Sequence, residues 1–115
     1  MDSDQSVPKI VVTGLGVITS LGHDVDTFWD NLLAGKSGIR RVETMDASQL
    51  PCQVAAEVHD FDAADYMDGK EAKRNDLYTH YAVAASRLAL KDSGLDHTTW
   101  DPDRVGVLVG SGIGG

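Results

Sequence analysis

Residues 104–115 read Arg-Val-Gly-Val-Leu-Val-Gly-Ser-Gly-Ile-Gly-Gly, an apolar β-branched run that empties into glycines. A strand feeding a glycine loop delivers the chain to a working site or to a helix, because glycine turns where other residues cannot. Near the other end, Ile10-Val-Val-Thr13 is a second short buried-strand pattern, broken by Gly14 and Gly16. The stretch between them carries helical periodicity. The order strand, helix, strand, helix, strand implies an α/β layer with a largely parallel sheet. Because residue 115 falls inside a loop, the expectation is that these residues are the front piece of a larger protein.

The helices are legible from spacing. Asp24 caps a helix in which Val25, Phe28, Trp29, Leu32 and Leu33 share one face, and Gly35 stops it. Lys36–Arg41 reads as a basic turn. Residues 42–52 look irregular, and Gln53–Val58 alternates weakly enough for an edge strand. Asp60 or Asp62 can cap a short helical turn through Tyr66. The longest helix is expected from about Arg74 to Ser93, with Leu77, Tyr81, Ala84, Ala85 and Leu88 at helical spacing and Gly94 ending it. Its alanines, Ala82, Ala84, Ala85 and Ala89, permit close approach of another backbone, and small residues on several sides point to a buried helix. Residues 1–8 read as a frayed tail. No internal repeat or low-complexity linker interrupts the chain.

Composition narrows the function classes. The 115 residues carry 10 Lys and Arg against 18 Asp and Glu, a net charge of −8 that disfavours nucleic acid or a lipid surface as partner. No apolar run approaches the roughly 20 residues of a membrane span. Met1-Asp-Ser-Asp-Gln-Ser6 lacks the basic start and apolar stretch of a secretory signal. The single cysteine, Cys52, cannot form an internal disulfide, so a reducing, cytoplasmic setting is expected.

Few residues carry a chemical signal. Gly110, Gly112 and Gly115 formally match G-x-G-x-x-G after a strand, the pattern of a dinucleotide-binding loop, which needs a following helix and an acid about 20 residues on. Glycines that let a backbone turn tightly beside another strand account for the same pattern. Cys52 follows Pro51 in an irregular stretch, away from any obvious helix N-terminus that would favour thiolate, and reads as a partly buried, inert thiol. His23, His59, His80 and His97 show no metal-ligand spacing and read as loop or surface residues. His80, mid-helix, is the one suited to a satisfied partner within the core. No metal site and no cofactor are expected. Lys70, Lys73 and Arg74 stand out in so acidic a chain. At i, i+3 and i+4, one helical turn presents all three on one face, where they can steer an acidic partner. On the residues alone, a solvated helix start is the better account of them.

Taken in order, these segments resemble the N-terminal part of a β-ketoacyl-[acyl-carrier-protein] synthase, most closely the type II condensing enzymes of bacterial fatty-acid synthesis. The carrying residues are Val12–Gly16 with Leu21-Gly22, Phe28-Trp29 through Leu33-Ala-Gly-Lys-Ser-Gly-Ile39, and Lys70–Arg74 with Asp76. Asp92–Leu95 and Arg104-Val-Gly106 with Gly110–Gly115 complete the set. The ordered set is specific although no single motif decides it, and polyketide ketosynthases share it. The resemblance implies a thiolase-like layered α/β fold, with residues 9–115 forming part of the first half only. It implies a homodimer and a decarboxylative Claisen condensation between a cysteine-bound acyl group and malonyl on acyl carrier protein. The condensing cysteine and two assisting histidines are expected beyond residue 115. Cys52 and the four histidines do not match their positions, so no catalytic residue is expected within this chain. Lys70, Lys73 and Arg74 align with basic residues that receive the acidic helix of acyl carrier protein. Ile113 aligns with an isoleucine bordering the acyl-chain pocket. The resemblance implies that the glycine loop binds no nucleotide, whereas the glycine pattern by itself motivates the competing class, a nucleotide-dependent oxidoreductase.

Overall fold

Asp24 opens the first helix. In the computed structural model, which describes residues 8–115, its carboxylate accepts from the Thr27 backbone N–H at 2.8 Å, and α1 runs Val25–Leu33 behind it. Ahead of it, Thr19 and Gly22 exchange backbone hydrogen bonds at 3.0 and 3.3 Å. The Asn31 amide donates to the Leu21 carbonyl at 2.6 Å, which ties this turn to the body of α1. The tail expected over residues 1–8 lies outside the described residues except for Pro8, which is exposed.

The sheet differs from expectation. Its strands are β1, Arg40–Arg41, and β2, Val54–Ala55, paired antiparallel with Arg40 opposite Ala55 and Arg41 opposite Val54. The basic turn expected over Lys36–Arg41 thus ends as a strand, and the edge strand expected over Gln53–Val58 shrinks to its centre. Past the ladder, Glu57 extends the link. Its carboxylate accepts from the Glu43 N–H at 2.8 Å and from the Thr44 hydroxyl. Ile10–Thr13 and Val105–Val109, the two expected strands, are extended but belong to no ladder among the described residues. A strand is defined by its neighbours, and neither run lies beside one here. The largely parallel sheet is accordingly absent from the described residues.

The helical sector is better defined. Asp62, rather than Asp60, caps the single 3-10 turn Ala63–Asp65 by accepting from Ala64 N–H at 2.8 Å. Asp60 instead turns the chain, with φ 56°. A one-turn helix, α2, follows at Gly69–Ala72, and α3 spans Leu77–Ser93. The long helix was expected to begin at Arg74. It begins three residues later because Asp76 is extended, with φ −83° and ψ 167°, and separates α3 from α2. Gly94 ends α3 in the left-handed conformation, φ 63°, as its position predicts. Two further 3-10 turns, His97–Thr99 and Pro102–Arg104, lead into the terminal run.

Two contacts hold the elements together. The first is a seam between the loop at Gly14–Gly16 and the C-terminal half of α3. A methyl built on Gly14 would fall inside contact distance of the Ala89 carbonyl, and one on Gly16 would meet the Ala85 carbonyl and the Ala89 nitrogen. The Leu15 N–H donates to the Asp92 carboxylate at 2.9 Å across the same seam. The close backbone approach expected from the alanines of α3 is therefore made by the first glycine loop. The second contact is aromatic. Phe61 stacks on Tyr66 with centroids 5.7 Å apart and meets Tyr81 edge-on at 5.0 Å, while His23 meets Phe61 at 6.0 Å. This cluster fastens the 3-10 turn at 63–65 to α3 and adds orientation-dependent attraction to apolar burial. Among the described residues only Ala47 and Ala84 are fully buried, and Ile10, Val107 and Leu108 are at least 87% exposed.

Candidate functional site

Four residues make one short helix possible where propensity would not. A single helical turn is unstable alone, because its orphan N–H and C=O groups outnumber its internal bonds. In α2 these groups find partners. The Asp68 carboxylate accepts from the Lys70 N–H at 2.9 Å at the N-terminal end. At the other end the Asn75 amide donates to the Glu71 carbonyl at 2.8 Å, and His80 Nε2 lies 2.8 Å from the Ala72 carbonyl oxygen. Lys73 closes the turn as its C-cap.

The helix carries three cations into solvent. Lys70, Lys73 and Arg74 are all exposed. Arg74 reaches Glu71 at 3.8 Å, a surface pair worth little in water, while Lys70 and Lys73 form no ion pair among the described residues. Lys70 lies in the single turn, Lys73 is its cap and Arg74 follows just beyond, all ahead of α3 rather than at its start.

The terminal glycine loop ends near the same place. Gly114, at φ 89°, rests against the Tyr78 ring, and Gly115 lies against Asp76. The loop thus ends at the N-terminal end of α3, which the basic turn precedes in the chain. Ile113 is fully exposed on this loop, and an added methyl at Gly110 or Gly112 would meet nothing within 4 Å. The structure gives Ile113 no enclosing pocket among the described residues. Upstream, Leu108 to Gly110 face the Gly16–Thr19 segment and Tyr81, Ala82, Ala85 and Ser86 of α3 across an open cleft. The dinucleotide reading gains nothing from this geometry. Val105–Val109 forms no strand, and the loop is irregular.

The remaining candidates separate. Cys52 is exposed, not partly buried as expected, with Sγ 3.5 Å from the Val54 carbonyl. His23 and His59 are half-buried, the latter 3.9 Å from Glu57, and His97 packs edge-on to Trp100 at 6.2 Å. No three metal-ligating side chains converge among the described residues. His80 has a hydrogen-bonding partner as expected, although it lies in the first turn of α3 rather than mid-helix and is only half-buried. Sequence reasoning missed Asn75 and the partner of His80. The only signal was a polar amide one residue past a basic turn.

Residues 8–115 match the family described as beta-ketoacyl synthase, N-terminal domain. The chain belongs to the β-ketoacyl synthase family.

The relatives agree. The chain is 47% identical over 107 residues to a 3-oxoacyl-[acyl-carrier-protein] synthase 2 of Coxiella burnetii, covering 93% of this chain and 26% of the relative. It is 45% identical, with the same coverage, to the enzyme of that name from Synechocystis. It therefore spans about a quarter of the length of these relatives. Among solved structures, the ishigamide ketosynthase/chain length factor superposes with a TM-score of 0.70 at 35% identity, over 76% of this chain and 22% of that one. A type II polyketide ketosynthase in complex with its acyl-carrier protein gives 0.63 at 28% identity, over 82% and 23%. The fold is thus part of the thiolase-like ketosynthase architecture, as the resemblance implied.

Proposed function

We propose that this chain forms the N-terminal portion of a 3-oxoacyl-[acyl-carrier-protein] synthase of fatty-acid biosynthesis, with the condensing cysteine and histidines supplied from outside residues 1–115. In that reaction an acyl thioester on cysteine meets malonyl-acyl carrier protein. Carbon dioxide leaves, the resulting carbanion attacks the acyl carbonyl, and the cysteine thiolate departs. Within this chain Lys70, Lys73 and Arg74 receive the acidic helix of the carrier protein, and Ile113 borders the acyl chain. A cytoplasmic homodimer is the assembly that goes with this reading. The family match over residues 8–115 is the observation that carries it. Three exposed cations, in a chain of net charge −8, supply the local complementarity.

The test uses the full reading frame that carries this chain. It should extend an acyl primer with malonyl-acyl carrier protein and release carbon dioxide. The Lys70→Ala/Lys73→Ala/Arg74→Ala variant should raise KM for the carrier-bound substrate about tenfold at low salt and flatten its salt dependence. An unchanged KM at low salt removes the patch from the account, and no condensation at all removes the enzyme. The type II polyketide ketosynthase neighbour supports a second reading. Product analysis separates the two, since a polyketide enzyme extends again without intervening reduction of the β-ketone.

A further inference from the structure

We propose that His80 is a positioning residue for carrier-protein docking, holding the basic turn at its working angle through the Ala72 carbonyl. The inference rests on the docking role proposed for Lys70, Lys73 and Arg74. Three side chains tether α2. Asp68 and Asn75 are its own chain neighbours and travel with it. His80 alone belongs to another element, eight residues on, and sits half-buried one turn into α3. Together with the packing of α2 on the 3-10 turn at 63–65, it therefore sets where the basic turn lies relative to the rest of the fold, whereas the other two set only its shape. The carbonyl can only accept, so Nε2 must carry the proton in this bond. Freed from this bond, the turn loses the anchor of its last carbonyls, and three long cationic side chains spread over more orientations. Ordering them again on binding weakens affinity without removing any charge.

The experiment titrates labelled acyl carrier protein against the full-length protein at low salt, comparing wild type, His80→Leu, His80→Gln and the triple alanine variant. His80→Leu should bind about three- to tenfold more weakly, the range expected for losing one hydrogen bond. His80→Gln, whose amide also donates to a carbonyl, should recover most of that loss. Amide exchange over residues 70–76 should quicken in His80→Leu and return toward wild type in His80→Gln. Wild-type affinity in His80→Leu alongside weakened binding in the triple variant overturns the role of His80 and leaves the patch standing. Wild-type affinity in the triple variant overturns the docking reading itself, and the proposal with it. If His80→Leu does not fold, the ring nitrogen shifts of wild-type His80 decide. A neutral ring protonated on Nδ1 overturns the proposal.

Discussion

A methyl group added at Gly16 would point into main-chain atoms of Ala85 and Ala89, which have nowhere to go inside a helix. Gly16→Ala is expected to destabilise the full-length protein by about 2–3 kcal/mol, the range of a forced overpacking. Gly69 is the contrast, since a Cβ there meets nothing within 4 Å and its φ is not positive. Gly69→Ala should stabilise by about 0.5–1 kcal/mol through helix propensity and a less flexible unfolded chain. Denaturant midpoints of the two variants should move in opposite directions, and a shift of the same sign would contradict the seam. Ile113 offers a third test. If it borders an acyl chain, Ile113→Phe should cut turnover with long primers more than with short ones. Equal losses at every length would detach it from the pocket. The role proposed for Ile113 rests on the resemblance, and its exposed side chain shows why spacing alone was silent. Nothing in residues 8–115 packs against it.

Helices were readable because their signals are local. Asp24, the apolar face and Gly35 lie within a dozen residues of one another, so α1 emerged with its cap correct. The start of α3 did not, because Arg74 and Leu77 both suit a helix and only the extended backbone of Asp76 divides them. Local signals also make α1 sensitive to acid. The Thr27 backbone N–H, helped by its hydroxyl, holds the Asp24 carboxyl below the usual aspartate range. A depressed value in the folded state means that the cap contributes above the unfolded pKa and is lost as pH falls through the folded one. The Thr27 amide proton shift should follow that titration with a midpoint below ordinary aspartate. Asp24→Asn, which caps without ionising, should abolish the midpoint, and a Thr27 shift that still titrates in Asp24→Asn would assign it elsewhere.

Strands were the part the sequence could name but not place. Ile10–Thr13 and Val105–Val109 have the residues of buried strands, yet a ladder depends on partners that no run of side chains specifies. Here both runs stand in solvent, and the chain has a radius of gyration of 18.7 Å. A compact domain of 100 residues would show about 13 Å. So much uncovered apolar surface marks a region that associates. The isolated 115 residues should bind an apolar dye and sediment as mixed oligomers, and a sharp cooperative melt from a clean monomer would contradict this. The glycine–alanine seam carries a different lesson, about mutational escape. The atoms nearest Gly14 and Gly16, the carbonyl oxygens of Ala89 and Ala85, belong to peptide units that all twenty amino acids share. A selection for suppressors of Gly16→Ala should therefore return true revertants or changes in distant sectors, never an exchange at position 85 or 89, since no choice of side chain there moves a carbonyl out of the way.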